Sequence, residues 1–397
     1  MKALRISFLI IMVGLAAFAG ADEVEKPFSS VAEAIAWVED ASTRMIQDSR
    51  REMPNGMAAY PPQAGLGYEA FWLRDYAYML EGNCAAFSDT DLRDACRFFV
   101  GGIREDGSGV DCIKFDGTPI YTPGFGSMGE NPVADGSQFT VSVAWHTYQK
   151  IRDRALLEEI IEALVKTMRA CPRNPQTGLV TIDPTKEYDR CPYGFTDTVR
   201  KTGDVLFSSL LYVQAAGQLA DLLVVLGRTE DAETWRGVAK ETAVAVRTVF
   251  WDGEIGLFRA ATVQCKEPDL WGSAFAVYLG VADTEQTQRI GAYFCRHYAE
   301  ILHEGQLRHT PPGQYWEVAR ERDQYQNGGY WATPMGWFAY TLHQVDAPLA
   351  ERTILQFAHA MRDHNFPEWS FGGHHQLPRY NASAALPLAG FRAIRGE

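Results

Sequence analysis

The decapeptide FWLRDYAYML, positions 71–80, sets Arg74 and Asp75 among Phe71, Trp72, Tyr76 and Tyr78. Adjacent residues on a helix point in different directions, so these two charges are not placed to pair along it. Burying both costs free energy unless other groups satisfy them. The same mixture recurs along the chain in YEAFWLRD (68–75), ADGSQF (134–139), YGFTDTVRKTGD (193–204), CKEPDLW (265–271), YQNGGYW (325–331) and FPEWSFGGHHQLPRY (366–380). Each holds carboxylate, amide or aromatic residues that a plain connector does not need. Together they suit carbohydrate: aromatic faces stack on the C–H patches of sugar rings, and carboxylate, amide and guanidinium groups bind the hydroxyls. Tyr68, Trp72, Trp271, Tyr325, Tyr330, Trp331 and Trp369 are candidates for stacking. Arg74, Asp75, Gln138, Gln326 and Asn327 are candidates for the polar contacts.

Something must bring these segments together, and the periodicity says what. Each precedes an apolar helix expected to start near position 72, 138, 203, 269, 331 or 380, a step of about 50–65 residues that suits a helix–loop–helix–loop unit. Between them lie more charged, amphipathic helices expected over 29–48, 89–101, 153–169, 230–249, 283–301 and 347–363. Ser29, Thr229 and Asp346 stand where helix caps or starts belong. Twelve helices alternating between apolar and amphipathic imply an inner ring wrapped by an outer one, an all-α (α/α)6 toroid. Its inner helices are parallel, so the six segments converge on one cleft.

Composition narrows the function classes. The chain has 397 residues, 46% hydrophobic and 12% aromatic, enough for a large core. Its net charge of −13 argues against nucleic acid as a partner. Residues 1–21 read as a signal peptide: Lys2 and Arg5, an apolar run from Ile6 to Phe18, and a small-residue cleavage site at Ala19-Gly20-Ala21. The expected protein is therefore exported, periplasmic or extracellular, with one domain over 22–397 and no membrane contact once the signal is removed. Seven cysteines lack metal-binding spacing, and their odd number prevents all from pairing within the chain. No GxSxG or HExxH pattern occurs. No metal and no cofactor are expected, and His374 and His375 are read as surface or sugar-contacting residues. Asn381-Ala382-Ser383 fits a glycosylation acceptor.

The motifs, in their order, resemble the six-hairpin glycosidases, which include glucoamylases and glycogen-debranching glucosidase domains. FWLRDYAYML resembles the Trp-x-Arg-Asp signature of that superfamily. YGFTDTVRKTGDVLFSSLLYVQA resembles the segment in which an aspartate precedes an inner helix, with Phe195 in place of the usual Trp. YQNGGYWATPMGWFAYTL and PEWSFGGHHQLPRYNASAALPLAGF resemble the two later segments, with His374 and His375 as departures. The likeness runs over most of residues 60–395.

The resemblance implies Asp197 as general acid and Glu368 as general base of an inverting glycoside hydrolase. Placed before the third and sixth inner helices, the two face each other across a six-membered ring. Tyr193 and Phe195 beside Asp197 provide surroundings that raise a carboxyl pKa. Glu317, in QYWEVA, is the rival base or a substrate contact. Asp204 is a substrate ligand or a cap, and Glu267 and Asp269 are expected at the rim. The expected substrate is a terminal hexosyl unit, with α-linked glucose the nearest analogy. Two alternatives use the same toroid. One is a polysaccharide lyase drawing on Tyr325, His374, His375 and Arg379; the other is a non-catalytic carbohydrate-binding protein.

Overall fold

The computed structural model describes residues 27–65, 67–126, 132–185, 198–317 and 321–397. The signal-peptide stretch and Asp197 lie outside the described residues. From the N-terminus the helices alternate: outer α1 (Val31–Ser49), inner α2 (Leu73–Asn83), outer α3 (Asp89–Gly101), inner α4 (Gly136–Ile151), outer α5 (Arg154–Ala170) and inner α6 (Leu206–Val225). The order continues with outer α7 (Thr229–Val249), inner α8 (Leu270–Tyr278), outer α9 (Thr284–Arg296), one turn of α10 (Tyr298–Ile301), inner α11 (Met335–His343), outer α12 (Ala347–His364) and inner α13 (Asn381–Ile394). The inner helices close a ring: α2 packs on α4, α4 on α6, α6 on α8, α8 on α11, α11 on α13, and α13 back on α2. The (α/α)6 barrel and all twelve expected helices are present.

The two rings differ because their burial differs. In α6, fourteen of twenty residues are buried, whereas α7 buries only Ala232, Trp235, Thr242 and Val246. α6 is long and apolar enough to cross a membrane, but 67% of that apolar window is enclosed by the barrel. Most outer helices carry their own start signals. Ser30, Ser88, Asp153, Asp283 and Asp346 each accept a first-turn N–H with their side chains. Inner helices α2, α4, α6, α11 and α13 have no side-chain cap. Loop carbonyls take over at several of these starts: Leu73 N donates to Asp111 O (3.1 Å), Leu206 N to Ala260 O (3.0 Å), and Asn381 N to Pro62 O (2.7 Å). The helix starts thereby stitch the loops onto the mouth of the barrel.

Closure of the ring needs backbone contact. A Cβ on Gly390 of α13 would lie 2.1 Å from Gly336 O of α11, and one on Gly336 would lie 2.5 Å from Pro387 O. Neither position has room for a side chain. Short antiparallel strands decorate the mouth. The largest set, in spatial order, is Leu302–His303, Gln306–Arg308, Tyr330–Trp331, Trp369–Phe371 and His374–Gln376.

At the end of α2 away from the mouth, Glu81 carries an enclosed, unpartnered Oε1. Burial pushes its carboxyl up to about 7, opposed by a hydrogen bond from Gln214. An unfolded glutamate ionises near 4.5. Between these values the folded chain holds a proton that the unfolded chain has lost, so stability falls as pH rises from about 4.5 to about 7. The cost at pH 8 is on the order of 3 kcal/mol. Glu81→Gln should therefore raise Tm by about 4 °C at pH 8 and hardly at pH 4.5, read by calorimetry at both values. An equal shift at both would show that Glu81 is not the titrating group.

Candidate active site

The segments before the inner helices touch one another around the mouth. Arg74, before the body of α2, pairs with Asp135 before α4 (3.3 Å). Gln138 Nε2 on α4 reaches Ser208 O on α6 (3.4 Å). Lys201 before α6 lies 3.9 Å from Asp269 before α8. The Trp271 and Trp331 rings meet edge-to-face at 5.6 Å. Tyr325 donates to Glu368 (3.3 Å), and Tyr380 donates to Asp75, which returns to the first segment. The six segments expected to converge do so, the third through its described residues 198–204.

Glu368 is the carboxylate on which this mouth is organised. It is buried, with its backbone N–H donating to Gln376 O (2.9 Å) and Leu377 O (3.1 Å) across the hairpin that follows. The Tyr68 and Tyr325 hydroxyls both donate to its Oε1, at 2.9 and 3.3 Å. Donors aimed at a carboxylate favour its ionised form and fix its direction. Burial, followed by the charge of Glu368, holds the Tyr68 hydroxyl well above the usual phenol value, so it stays a donor. Asp75 has a matching partner in Tyr380, whose hydroxyl is likewise kept protonated by burial and by Asp75. The Tyr68 and Tyr380 rings lie 6.3 Å apart, between the two carboxylates. Aromatic side chains with exposed surface flank this group: Tyr68, Tyr325, Trp369 and, 5.5 Å from the Trp72 ring, Phe125.

Tyr325 takes its place through a tight turn. Its φ is +46°, Gly328 has φ +113°, and a Cβ on Gly329 would fall 2.4 Å from Tyr325 O. The two glycines of YQNGGYW are thus required by the backbone that aims Tyr325 at Glu368.

A second buried group lies beneath α8. Asp269 caps that helix by accepting from Gly272 N (2.8 Å). It also approaches His309 Nε2 at 3.3 Å. Burial pushes His309 down to about 4, so the imidazole is neutral at pH 7. Burial alone would raise Asp269, but His309, Lys201 and the Gly272 N–H hold it below the ordinary aspartate value. Trp271 stacks on His309 at 3.9 Å, and Lys201 Nζ lies 4.2 Å from the centre of the Trp316 ring.

Several expected site residues stand elsewhere than the sequence suggested. Asp269 is fully buried, not at the rim, because helix capping claims its carboxylate. Trp271 and Trp331 are fully buried, the latter donating Nε1 to Tyr325 O (3.2 Å), so they back the pocket wall. Gln138 is held between α4 and α6, with Nε2 also donating to Ala134 O (2.9 Å). Asp204 accepts from Asn174 (2.9 Å) and Thr177 (2.9 Å) beside the strand pair 181–182 and 203–204. Gln326 accepts from Thr198 Oγ1 (2.7 Å), and Asn327 bonds Trp316 N (2.8 Å) and O (3.3 Å). These amides hold loops in place. Glu317 is exposed and pairs with Arg322 (3.4 Å). Burial, followed by Glu317, raises its neighbour Glu267.

Arg74 is buried between Asp111 (3.2 Å) and Asp135 (3.3 Å). Its charge is met by two carboxylates that the sequence reading did not assign to it. The lyase set is dispersed. Tyr325 serves Glu368, His375 bonds Ser370 (2.8 Å), Arg379 pairs with Asp48, and His374 sits exposed at the hairpin tip. Asn381 is fully buried, its amide bonded to Ser49 (3.0 Å) and Pro61 O (3.0 Å), and so is closed to glycosylation in the folded chain. Six cysteines lie among the described residues, and no disulfide joins any two of them. Tyr380, Asp111, Lys201 and His309 were missed as partners. Lys201 and Tyr380 at least stand within the six segments, whereas nothing in the sequence around His309 marks it.

Comparison with known proteins agrees with the barrel architecture. The bacterial α-L-rhamnosidase six-hairpin glycosidase domain matches residues 114–300, a stretch that contains Asp197 but not Glu368. No curated protein sequence matches. The GH63 mannosylglycerate hydrolase of Thermus thermophilus, solved with glucose, superposes with a TM-score of 0.65 at 18% identity, covering 90% of this chain and 100% of that one. A rhamnosidase from Klebsiella oxytoca with rhamnose bound gives 0.63 at 16% identity, covering 92% of this chain and 64% of that one. The GH78 rhamnosidase of Bacillus sp. GL1 gives 0.57 at 14% identity, covering 92% and 35%. The barrel has the fold of the six-hairpin glycosidases.

Proposed function

We propose that this six-hairpin glycosidase-type barrel is an exported, inverting, exo-acting glycoside hydrolase that releases a terminal hexosyl unit. The observation that carries the reading is Glu368, a buried carboxylate fixed by the Tyr68 and Tyr325 hydroxyls where the six loops meet. A carboxylate so held can take a proton from a water placed on one face of the sugar ring. Asp197, from the Phe-Thr-Asp motif, is the acid that protonates the departing oxygen. Inversion needs the two carboxyls about 6.5–9.5 Å apart, with the water between them and the anomeric carbon. Asp75, held by Tyr380, binds hydroxyls of the terminal ring, and Tyr68, Trp72, Phe125 and Trp369 provide its aromatic surroundings.

The neighbours narrow the panel to test: α-glucosides first, then mannosylglycerate and α-L-rhamnosides. The expected result is release of a single monosaccharide from one of these, with the first-formed anomer, followed by proton NMR, opposite to that of the bond cleaved. A retained anomer would overturn the base role of Glu368. An unsaturated, ultraviolet-absorbing product would replace hydrolysis with elimination.

A further inference from the structure

Glu304, His364 and His375 come from three separate elements and meet beside the barrel mouth. Glu304 occupies the two-residue turn between the strands Leu302–His303 and Gln306–Arg308, where it and Gly305 both have positive φ (+47° and +68°). His364 ends α12. His375 lies on the strand His374–Gln376, paired with Ser370, and points to the sheet face opposite Trp369. One donor atom from each of the three lies within 4.8 Å of the other two.

We propose that these three side chains form a binding site for a divalent transition-metal ion of the zinc class. The separations decide between this and a simple ion-pair cluster. Glu304 Oε2 lies 3.3 Å from His375 Nε2 and 3.7 Å from His364 Nε2. Charge-assisted hydrogen bonds between nitrogen and carboxylate are shorter, about 2.7–2.9 Å. Metal–ligand bonds of about 2.0–2.2 Å in a tetrahedron put ligand atoms roughly 3.3–3.6 Å apart, close to the 3.3 and 3.7 Å found. Oε2 is enclosed and has no hydrogen-bond partner, as a ligand oxygen awaiting a cation would be.

The hydrogen bonding of His375 agrees with this assignment. His375 Nδ1 is bonded to Ser370 Oγ (2.8 Å), which leaves Nε2 to face Glu304. A second bond of this kind is what orients a ligating imidazole. His364 and His375 stack at 3.9 Å with 22° between their planes, so one ring must turn out of the stack for both Nε2 lone pairs to meet one ion. His303 Nε2 stands 3.5 Å from the same carboxylate oxygen, outside the mutually close trio. The site ties α12 to the hairpin whose backbone holds Glu368, so the ion would brace the catalytic wall without touching substrate.

The test uses the full, tag-free chain, apo and then dialysed against Zn2+ or Co2+. The expected result is one equivalent bound by metal analysis and a rise in Tm on loading. His364→Gln and His375→Gln should each lower affinity by at least about 100-fold, as loss of one of three ligands implies. Bound Co2+ should show visible bands of tetrahedral strength and no thiolate charge-transfer band. That spectrum is read on the wild type and so does not depend on how a variant folds. No uptake by the wild type, undiminished uptake by both variants, or a thiolate band each overturns the proposal. None of these readouts depends on glycosidase turnover.

Discussion

Glu368→Gln should lower kcat by at least about 10³-fold on whichever substrate the panel identifies, with KM changed far less. General-base assistance contributes about 10²–10⁴-fold, and an amide cannot accept the proton from water. The change is nearly isosteric. The amide oxygen can still accept from Tyr68 and Tyr325, which now donate to Oε1, and the backbone bonds to Gln376 and Leu377 remain. Tm should therefore stay within about 2 °C of wild type, a surface-like change for a buried but still satisfied group. Tyr68→Phe removes one donor to a charged acceptor, worth about 1.5–3 kcal/mol, and should cost roughly 10- to 100-fold in kcat. Steady-state kinetics and a melting curve on both variants read these values. If Glu368→Gln keeps a rate within threefold of wild type, another group activates the water, and Asp75 becomes the carboxylate to test.

The second large effect falls on stability. Arg74 lies buried between Asp111 and Asp135, with side-chain exposures of 7%, 1% and 2%. Removing one member of a buried ionic cluster strands the others, and Arg74→Met should destabilise the chain by about 3–5 kcal/mol. Neutralising the stranded carboxylates in the same chain, with Asp111→Asn and Asp135→Asn, should recover most of the loss, because buried amides cost less than buried unpaired charges. Arg74→Lys should fall between, since an ammonium cannot span two carboxylates as a guanidinium fork does. Urea unfolding of the four chains checks the series. A Met variant within 1 kcal/mol of wild type that loses only substrate affinity would make Arg74 a sugar clamp and not a keystone.

That contrast shows where reading the sequence stopped. Read locally, FWLRDYAYML points both of its adjacent charges at a sugar. The barrel assigns them different partners: Arg74 pairs with the carboxylates of Asp111 and Asp135, and Asp75 with the hydroxyl of Tyr380. Tyr380 is 305 residues from Asp75, and local pattern carries no information about such a pairing. Glu304, His364 and His375 make the same point. No spacing in the sequence resembles a metal motif, and the three donors meet only because the end of α12 and two hairpins share one side of the mouth.

The sequence by itself determined the twelve-helix alternation and the segments that would line the mouth. Both are written at the scale of a helical turn: apolar residues every three or four positions, Ser or Asp at the starts of most outer helices, and polar aromatic stretches before the inner ones. The resemblance to six-hairpin glycosidases pointed to Glu368, with Glu317 as its rival. Tertiary structure alone decided which phenols hold that carboxylate. It also decided that Asp269 caps a helix instead of meeting solvent, and that the fully buried Trp331 supports the wall behind Tyr325. The reason is physical. Helix formation depends on neighbours a few residues apart, whereas the environment of a buried charge is set by ring closure, which brings Tyr68 against Glu368 across 300 residues of chain.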